Sequence, residues 1–257
     1  MDVVYIIGTG SKWDNNELRY SLRSIAKFGA NLGEVYIVGD ELPPFINPST
    51  VRYLHVRDIT TNKPALNVYY KLCRLFKMSK VERFLLSSDD HFLIRPVDLE
   101  KWPLFYKGKE MPKDTTKGVG DKRYTKTMAD TRAFMEKFAL DLRYWEGHIN
   151  KLYTREAWDE LHNWPYVADF EDSMFNSRYG LSCNSPIAAL IYRRHYLDIN
   201  TFCRKDIKLQ HLNTDEDFAL LQNDIAFSIY DSAIHSGVEE YLKELFPERS
   251  RFEWPGE

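Results

Sequence analysis

The sequence has only three cysteines in 257 residues, Cys73, Cys183 and Cys203, far apart and odd in number. That argues against a disulfide framework, and no pair has zinc spacing. They read as buried thiols in a reducing compartment. No apolar run approaches the ~20 residues that a spanning helix needs. The apolar opening, MDVVYIIGTGS, carries neither a basic n-region nor a cleavage site. The expectation is a cytoplasmic protein with no membrane span. Charge of one sign is scarce as well. Thirty-five Lys and Arg against 38 Asp and Glu leave a net −3, so nothing pulls the whole chain toward nucleic acid or anionic lipid. Internal repeats, low-complexity tracts and composition breaks are absent, so 1–257 reads as a single domain. What the chain does have is core material. It is 44% hydrophobic and 14% aromatic, enough to bury a substantial interior and leave rings for stacking on a base or a sugar.

Val3 to Ile7 is a continuous apolar run that stops at Gly8-Thr9-Gly10-Ser11, the pattern of a buried strand entering a glycine turn. Asp14 to Asn16 offers N-caps for a helix through Lys27, with Leu18, Leu22 and Ile25 on one face. Strands are expected at Val35 to Val38 and Val51 to Val56, a helix over Asn67 to Met78, and a strand over Arg83 to Ser88. This β-α-β-β-α-β order predicts an α/β fold whose mostly parallel central sheet is flanked by helices. Residues 107–127 differ. Within 107–126, seven Lys and Arg against three Asp and Glu leave +4, with almost no large aliphatic residue, which predicts a mobile basic loop or lid. Helical periodicity returns in 128–143 and 154–162, and the C-terminal part reads as α-rich with short strands.

The sharpest chemical feature is Ser87-Ser88-Asp89-Asp90-His91, two acids directly after an apolar strand. Ligands of open α/β sheets bind at the carboxyl ends of strands. Carboxylates there can hold a divalent cation against a diphosphate or take a proton from an attacking hydroxyl. A solvated, helix-capping turn is the plain alternative. Gly8, Thr9 and Gly10 suit backbone approach to a phosphate or nucleoside, or a simple turn; the spacing is neither GxGxxG nor a P-loop. Asp40 closes the second strand and suits a base or ribose contact, or a turn. Arg19 and Arg23 lie one helical turn apart and suit phosphates or surface ion pairs. His148, among aromatics after Gly147, suits a general base or a structural role. Asp169, Glu171 and Asp172 read as a solvated helix start. His91, His195 and His211 have no metal spacing.

Several segments together resemble the Stealth family of sugar-phosphate transferases. Asp2-Val3-Val4-Tyr5 is similar to the family's opening strand, without its tryptophan-bearing continuation. Asn16-Glu17-Leu18-Arg19-Tyr20-Ser21-Leu22-Arg23-Ser24-Ile25 is similar to its second block. Val35 to Val38, Pro43 to Asn47, Asn67, and Ser88 to Phe92 with Arg95-Pro96-Val97 follow in the family's order. Gly147 to Asn150, the segment 155–161, Arg178, Gln222-Asn223-Asp224 and Phe246 to Glu253 resemble the later blocks. The resemblance implies a glycosyltransferase-A-like sheet and a single catalytic domain. It implies a sugar nucleotide as donor and transfer of sugar 1-phosphate to an acceptor hydroxyl; the carboxylate pair adds the expectation of a divalent cation (Mg²⁺ or Mn²⁺) with Asp90 as its ligand. Its catalytic set falls on Asp89, Asp90, His148 and Arg178. Taken with the residue reading above, the expected substrate-binding residues are Gly8, Thr9, Gly10, Asn16, Arg19, Asp40, Asn67 and Asp224. Two alternatives stay open. One is a conventional glycosyltransferase that moves the sugar itself to a glycan or a modified nucleic-acid base. The other is a non-catalytic module that binds sugar nucleotides.

Overall fold

The structure, a computed structural model, describes residues 1–102, 105–106, 110–111, 122–176, 181–182, 186–189, 202–203 and 207–255. In chain order the first half runs β1 (Asp2–Ile6), α1 (Asn16–Phe28), β2 (Gly29–Ala30), β3 (Val35–Gly39), β4 (Arg52–His55), α2 (Pro64–Met78) and β5 (Arg83–Ser87). There follow β6 (His91–Leu93), β7 (Val97–Asp98), β8 (Phe105–Tyr106), α3 (Lys122–Lys137) and β9 (Lys151–Thr154). Next come α4 (Arg155–His162), α5 (Val167–Asn176), β10 (Phe202–Cys203), β11 (Lys208–Leu209) and β12 (Ala226–Ile229). Short helices, Asp215–Leu221 and Glu239–Leu245, flank β12.

The main sheet has the order β4-β3-β1-β5-β9. Its first four strands are parallel, and β9 pairs antiparallel with β5. This is the expected mostly parallel α/β sheet. The central strands are apolar on both faces, as a sheet covered on both sides requires: Val3, Val4, Ile37, Val38, Phe84 and Leu85 are all fully buried. Helix α1 buries Leu18, Leu22 and Ile25 against this core. Its start differs from expectation. Asp14 and Asn15 are left-handed, at φ 51° and 58°, a conformation Asp and Asn tolerate better than most residues. Ser11 Oγ instead accepts from the backbone N–H groups of Trp13 (3.2 Å) and Asn15 (2.8 Å).

The C-terminal part combines helices with short strands, as expected. Strands β11 and β12 join β6 in a second, three-stranded sheet. It packs with the outer side of α1 in a second core containing Trp13, Tyr20, Phe92, Phe227 and Phe246. The polar seam between α1 and β6 explains two serines of the 16–25 segment. Ser21 Oγ donates to His91 O, and Ser24 Oγ accepts from Leu93 N at 3.0 Å. The basic segment 107–127 is only partly a loop: 122–127 are already helical, and Met111 is buried, its N–H bonded to Leu142 O at 2.7 Å. Residues 107–109 and 112–121 lie outside the described residues, and the lid expectation falls there. Among the described residues no helix is long and apolar enough to cross a membrane.

Candidate active site at the strand-order reversal

From β1 the chain crosses through α1 to β3 and outward to β4, then returns through α2 to the other side of β1 as β5. The connections leaving β1 and β5 therefore diverge, and a crevice opens outside their carboxyl ends, the usual place for a ligand in such sheets. Register puts Tyr5 beside Ser87, so the Gly8–Ser11 turn and Asp89-Asp90 emerge next to each other. A cleft of about 220 Å³ lies there, lined by Gly8, Gly10, Ser11, Glu17, Asp89, Asp90, Ile229, Asp231 and Ile234. Neither Gly8 nor Gly10 would bring a Cβ within 4 Å of another group, so the cleft wall is open at both.

Burial pushes the Asp89 carboxyl up to about 7, and the negative charges of Asp90 and Glu17 add to the effect. Asp90 is tied differently. Its Oδ2 lies 3.4 Å from Lys208 Nζ, which is also 3.2 Å from His148 Nδ1 and sits over the Tyr230 ring at 4.7 Å. Asp90, Lys208 and His148 thus form one chain of polar contacts beside Asp89. Burial pushes the His91 imidazole down to about 4, so it is neutral near pH 7. Its Nδ1 lies 3.2 Å from Asn150 Oδ1, which joins the β5 end to the segment before β9. Beneath Asp89, Tyr5 is buried against Ser21 and its hydroxyl is pushed up to about 12, chiefly by burial.

Other residues singled out from the sequence are held by the protein itself. Asn16 Nδ2 donates to Trp13 O at 2.8 Å, which fixes the turn into α1. Arg19 stacks over the Phe45 ring at 4.4 Å with its Nε 3.9 Å from Glu253 Oε2; it serves the C-terminal segment. Arg23 makes a two-pronged contact with Glu253 at 2.8 and 2.7 Å. Asn67 is saturated by its own loop, accepting from Ile59 N and Thr60 N and donating to Thr60 O. Asp224 accepts from Ile225 N at 2.8 Å and stands at the start of β12, whereas the cleft meets its end at Ile229. Asp40 stands at the end of β3, the strand beyond β1, with its carboxylate 3.3 Å from Arg57 Nε. Thr9 is exposed in the glycine turn. Arg178 lies outside the described residues.

Three residues that sequence reasoning missed define the site. Lys208 sits on a two-residue strand with no local signal. Glu17 is an acid on the buried face of an amphipathic helix, in line with Ser21 and Ser24, and that misplaced charge was the readable sign. Lys71 is fully buried under the glycine turn, donating to Ile7 O at 2.7 Å and paired with Asp58 at 2.5 Å. It pins the end of β1 from below.

The expected cation needs several oxygen or nitrogen ligands converging on one point. Among the described residues no three of His, Cys, Asp and Glu converge where a cation would sit. Asp90 offers a single carboxylate with an ammonium already on it. The described residues do not fit a protein-held divalent ion.

No family model matches the sequence. The chain is 25% identical over 272 residues to an exopolysaccharide phosphotransferase of Streptomyces coelicolor. The match covers 93% of this chain and 28% of that protein, so the chain spans about a quarter of its relative's length. This similarity agrees with the resemblance to the sugar-phosphate transferases. Among solved structures, apo glycosyltransferase GlyE of Streptococcus pneumoniae aligns with a TM-score of 0.38 and 11% identity, over 78% of this chain and 44% of GlyE.

Proposed function

We propose that this chain is a transferase that uses a sugar nucleotide and moves sugar 1-phosphate to an acceptor hydroxyl. The observation that carries the reading is Asp89, a carboxyl held near neutrality in a cleft at the strand-order reversal. The similarity to a polysaccharide phosphotransferase supports the reaction class. Asp89 takes the proton of the acceptor hydroxyl, the task for which an acid titrating close to the working pH is suited. The acceptor oxygen attacks the β-phosphorus of the donor. The bond from that phosphorus to the bridging oxygen breaks, and a nucleoside monophosphate leaves. Lys208, whose ammonium is oriented by Asp90 and Tyr230, supplies positive charge where the phosphoryl oxygens gain electrons. His148, bonded to Lys208, holds that ammonium in place.

The test is the nucleotide released on incubation with sugar nucleotides and a saccharide acceptor. Nucleoside monophosphate is the expected product. Nucleoside diphosphate would move attack to the anomeric carbon and make the enzyme a conventional glycosyltransferase. Absence of any turnover or binding would leave a non-catalytic module.

A further inference from the structure

Glu17 stands in the first turn of α1 and lines the cleft beside Asp89, yet the residue is only 8% exposed. Its Oε2 is buried, and among the described residues it has no hydrogen-bond partner. A carboxylate oxygen removed from water and left unpaired is costly, and proteins keep such groups where function requires them. The missing donor can be a cation, a phosphate-linked group or a neutral hydroxyl. An ionised phosphate is disfavoured as the partner of Glu17 itself, because it brings no donor and Glu17 lines the cleft together with Asp89, Asp90 and Asp231. A cation is disfavoured, because no three possible ligands converge among the described residues and Lys208 already occupies Asp90. A hydroxyl-rich, uncharged group meets both conditions. It brings donors without charge, and carboxylates are its strongest acceptors.

We propose that Glu17 is a binding residue that accepts hydrogen bonds from the ring hydroxyls of a sugar in this cleft. Glu17 therefore selects for hydroxylated rings, and it orients the ring with Asp89 at its side. The open wall at Gly8 and Gly10 gives the ring room to lie against backbone. This assignment rests on the transferase reading above. The sugar is either that of the donor or that of the acceptor, since both present the same donors.

Calorimetry decides the matter, with the full chain and its Glu17→Gln variant. The probes are UDP-glucose, UDP-N-acetylglucosamine and GDP-mannose, the same nucleoside diphosphates without sugar, and the free saccharides. Glu17→Gln is expected to weaken binding of the sugar-bearing ligand about 10- to 100-fold, the range for a hydrogen bond to a charged group. Affinity for the bare nucleoside diphosphate stays unchanged. Loss confined to sugar nucleotides assigns the donor sugar, and loss confined to free saccharides assigns the acceptor. The variant keeps the volume of the side chain, so it is expected to melt at about the parent's temperature, which shows that the loss lies in binding and not in folding. Equal affinity of parent and variant for every sugar-bearing probe overturns the assignment and leaves the transferase reading intact. So does an equal loss for bare and sugar-bearing nucleotides, or an effect that EDTA abolishes. If the parent binds none of the probes, the transferase reading falls and the assignment falls with it.

Discussion

At the scale of single residues, identical chemistry has opposite meanings depending on what surrounds it. Asp89 and Asp90 are neighbours in sequence and both half-buried, but one sits against like charge and the other is tied to Lys208. If Asp89 is the proton acceptor, kcat/KM should rise with pH through a midpoint near 7. Asp89→Asn should abolish that limb and cost at least ~100-fold in turnover, read from a pH-rate profile. The same shift has a stability consequence of fixed sign. The folded chain binds the Asp89 proton more tightly than the unfolded chain does. This favours the fold below about pH 4 and is lost as pH rises toward 7. Asp89→Asn should therefore stabilise the protein at pH 8 by roughly 2 kcal/mol, about half of the full shift because the cleft is partly open to water, and by only a small fraction of that at pH 4. Urea unfolding at the two pH values checks it. The paired acids were legible because they follow an apolar strand directly. Lys208 was not, because a lysine becomes a site residue only through a partner 118 positions away.

At the scale of elements, helix α1 works on two sides. Its inner side delivers Glu17 to the cleft and Ser21 and Ser24 to β6, while Arg19 and Arg23 grip the segment 246–253. The two arginines suggested phosphate binding because spacing alone cannot say which way a helix face looks. Burial pushes the Glu253 carboxyl up, but the Arg23 fork and the Ser250 N–H outweigh it and hold it below its ordinary value. Stability from this pair is present above the ordinary carboxylate range and is lost as pH falls through the lowered value. Arg23→Ala leaves Glu253 buried without its partner. It should cost about 2–3 kcal/mol in urea unfolding at pH 7 and much less in acid. In α2, Lys71→Met should cost about 3 kcal/mol, because it orphans Asp58 and the carbonyl of Ile7. Sugar-nucleotide affinity should fall with it, since the glycine turn loses its anchor; titration of the folded fraction separates the two effects. Asn67 and Asp224 show the same ambiguity as the arginines, because an amide or an acid that satisfies a loop looks in sequence like one that meets a ligand.

At the scale of the whole molecule, the strands β1, β3, β4 and β5 and their mostly parallel sheet were readable because apolar runs, glycine turns and helical periodicity alternate over the first 88 residues; their order across the sheet was not. The second sheet was not readable, because β11 has two residues and the paired strands β12 and β6 are far apart in sequence. That sheet supplies the far wall of the cleft through Ile229, so half of the site depends on long-range assembly. Deleting 246–255 removes Phe246 and Phe252 from the two cores and frees Arg23. The shortened chain should lose its near-ultraviolet dichroism and cooperative melting. Gly8 and Gly10 have a different consequence for the lineage of such a protein. Neither position has a left-handed backbone or a crowded wall, so folding tolerates alanine or serine at both. Under the proposed function, what sets the size allowed there is the substrate in the cleft. Drift at these two positions can change which substrates are accepted before it touches thermal stability, which makes them the natural entry point for directed evolution of new specificity.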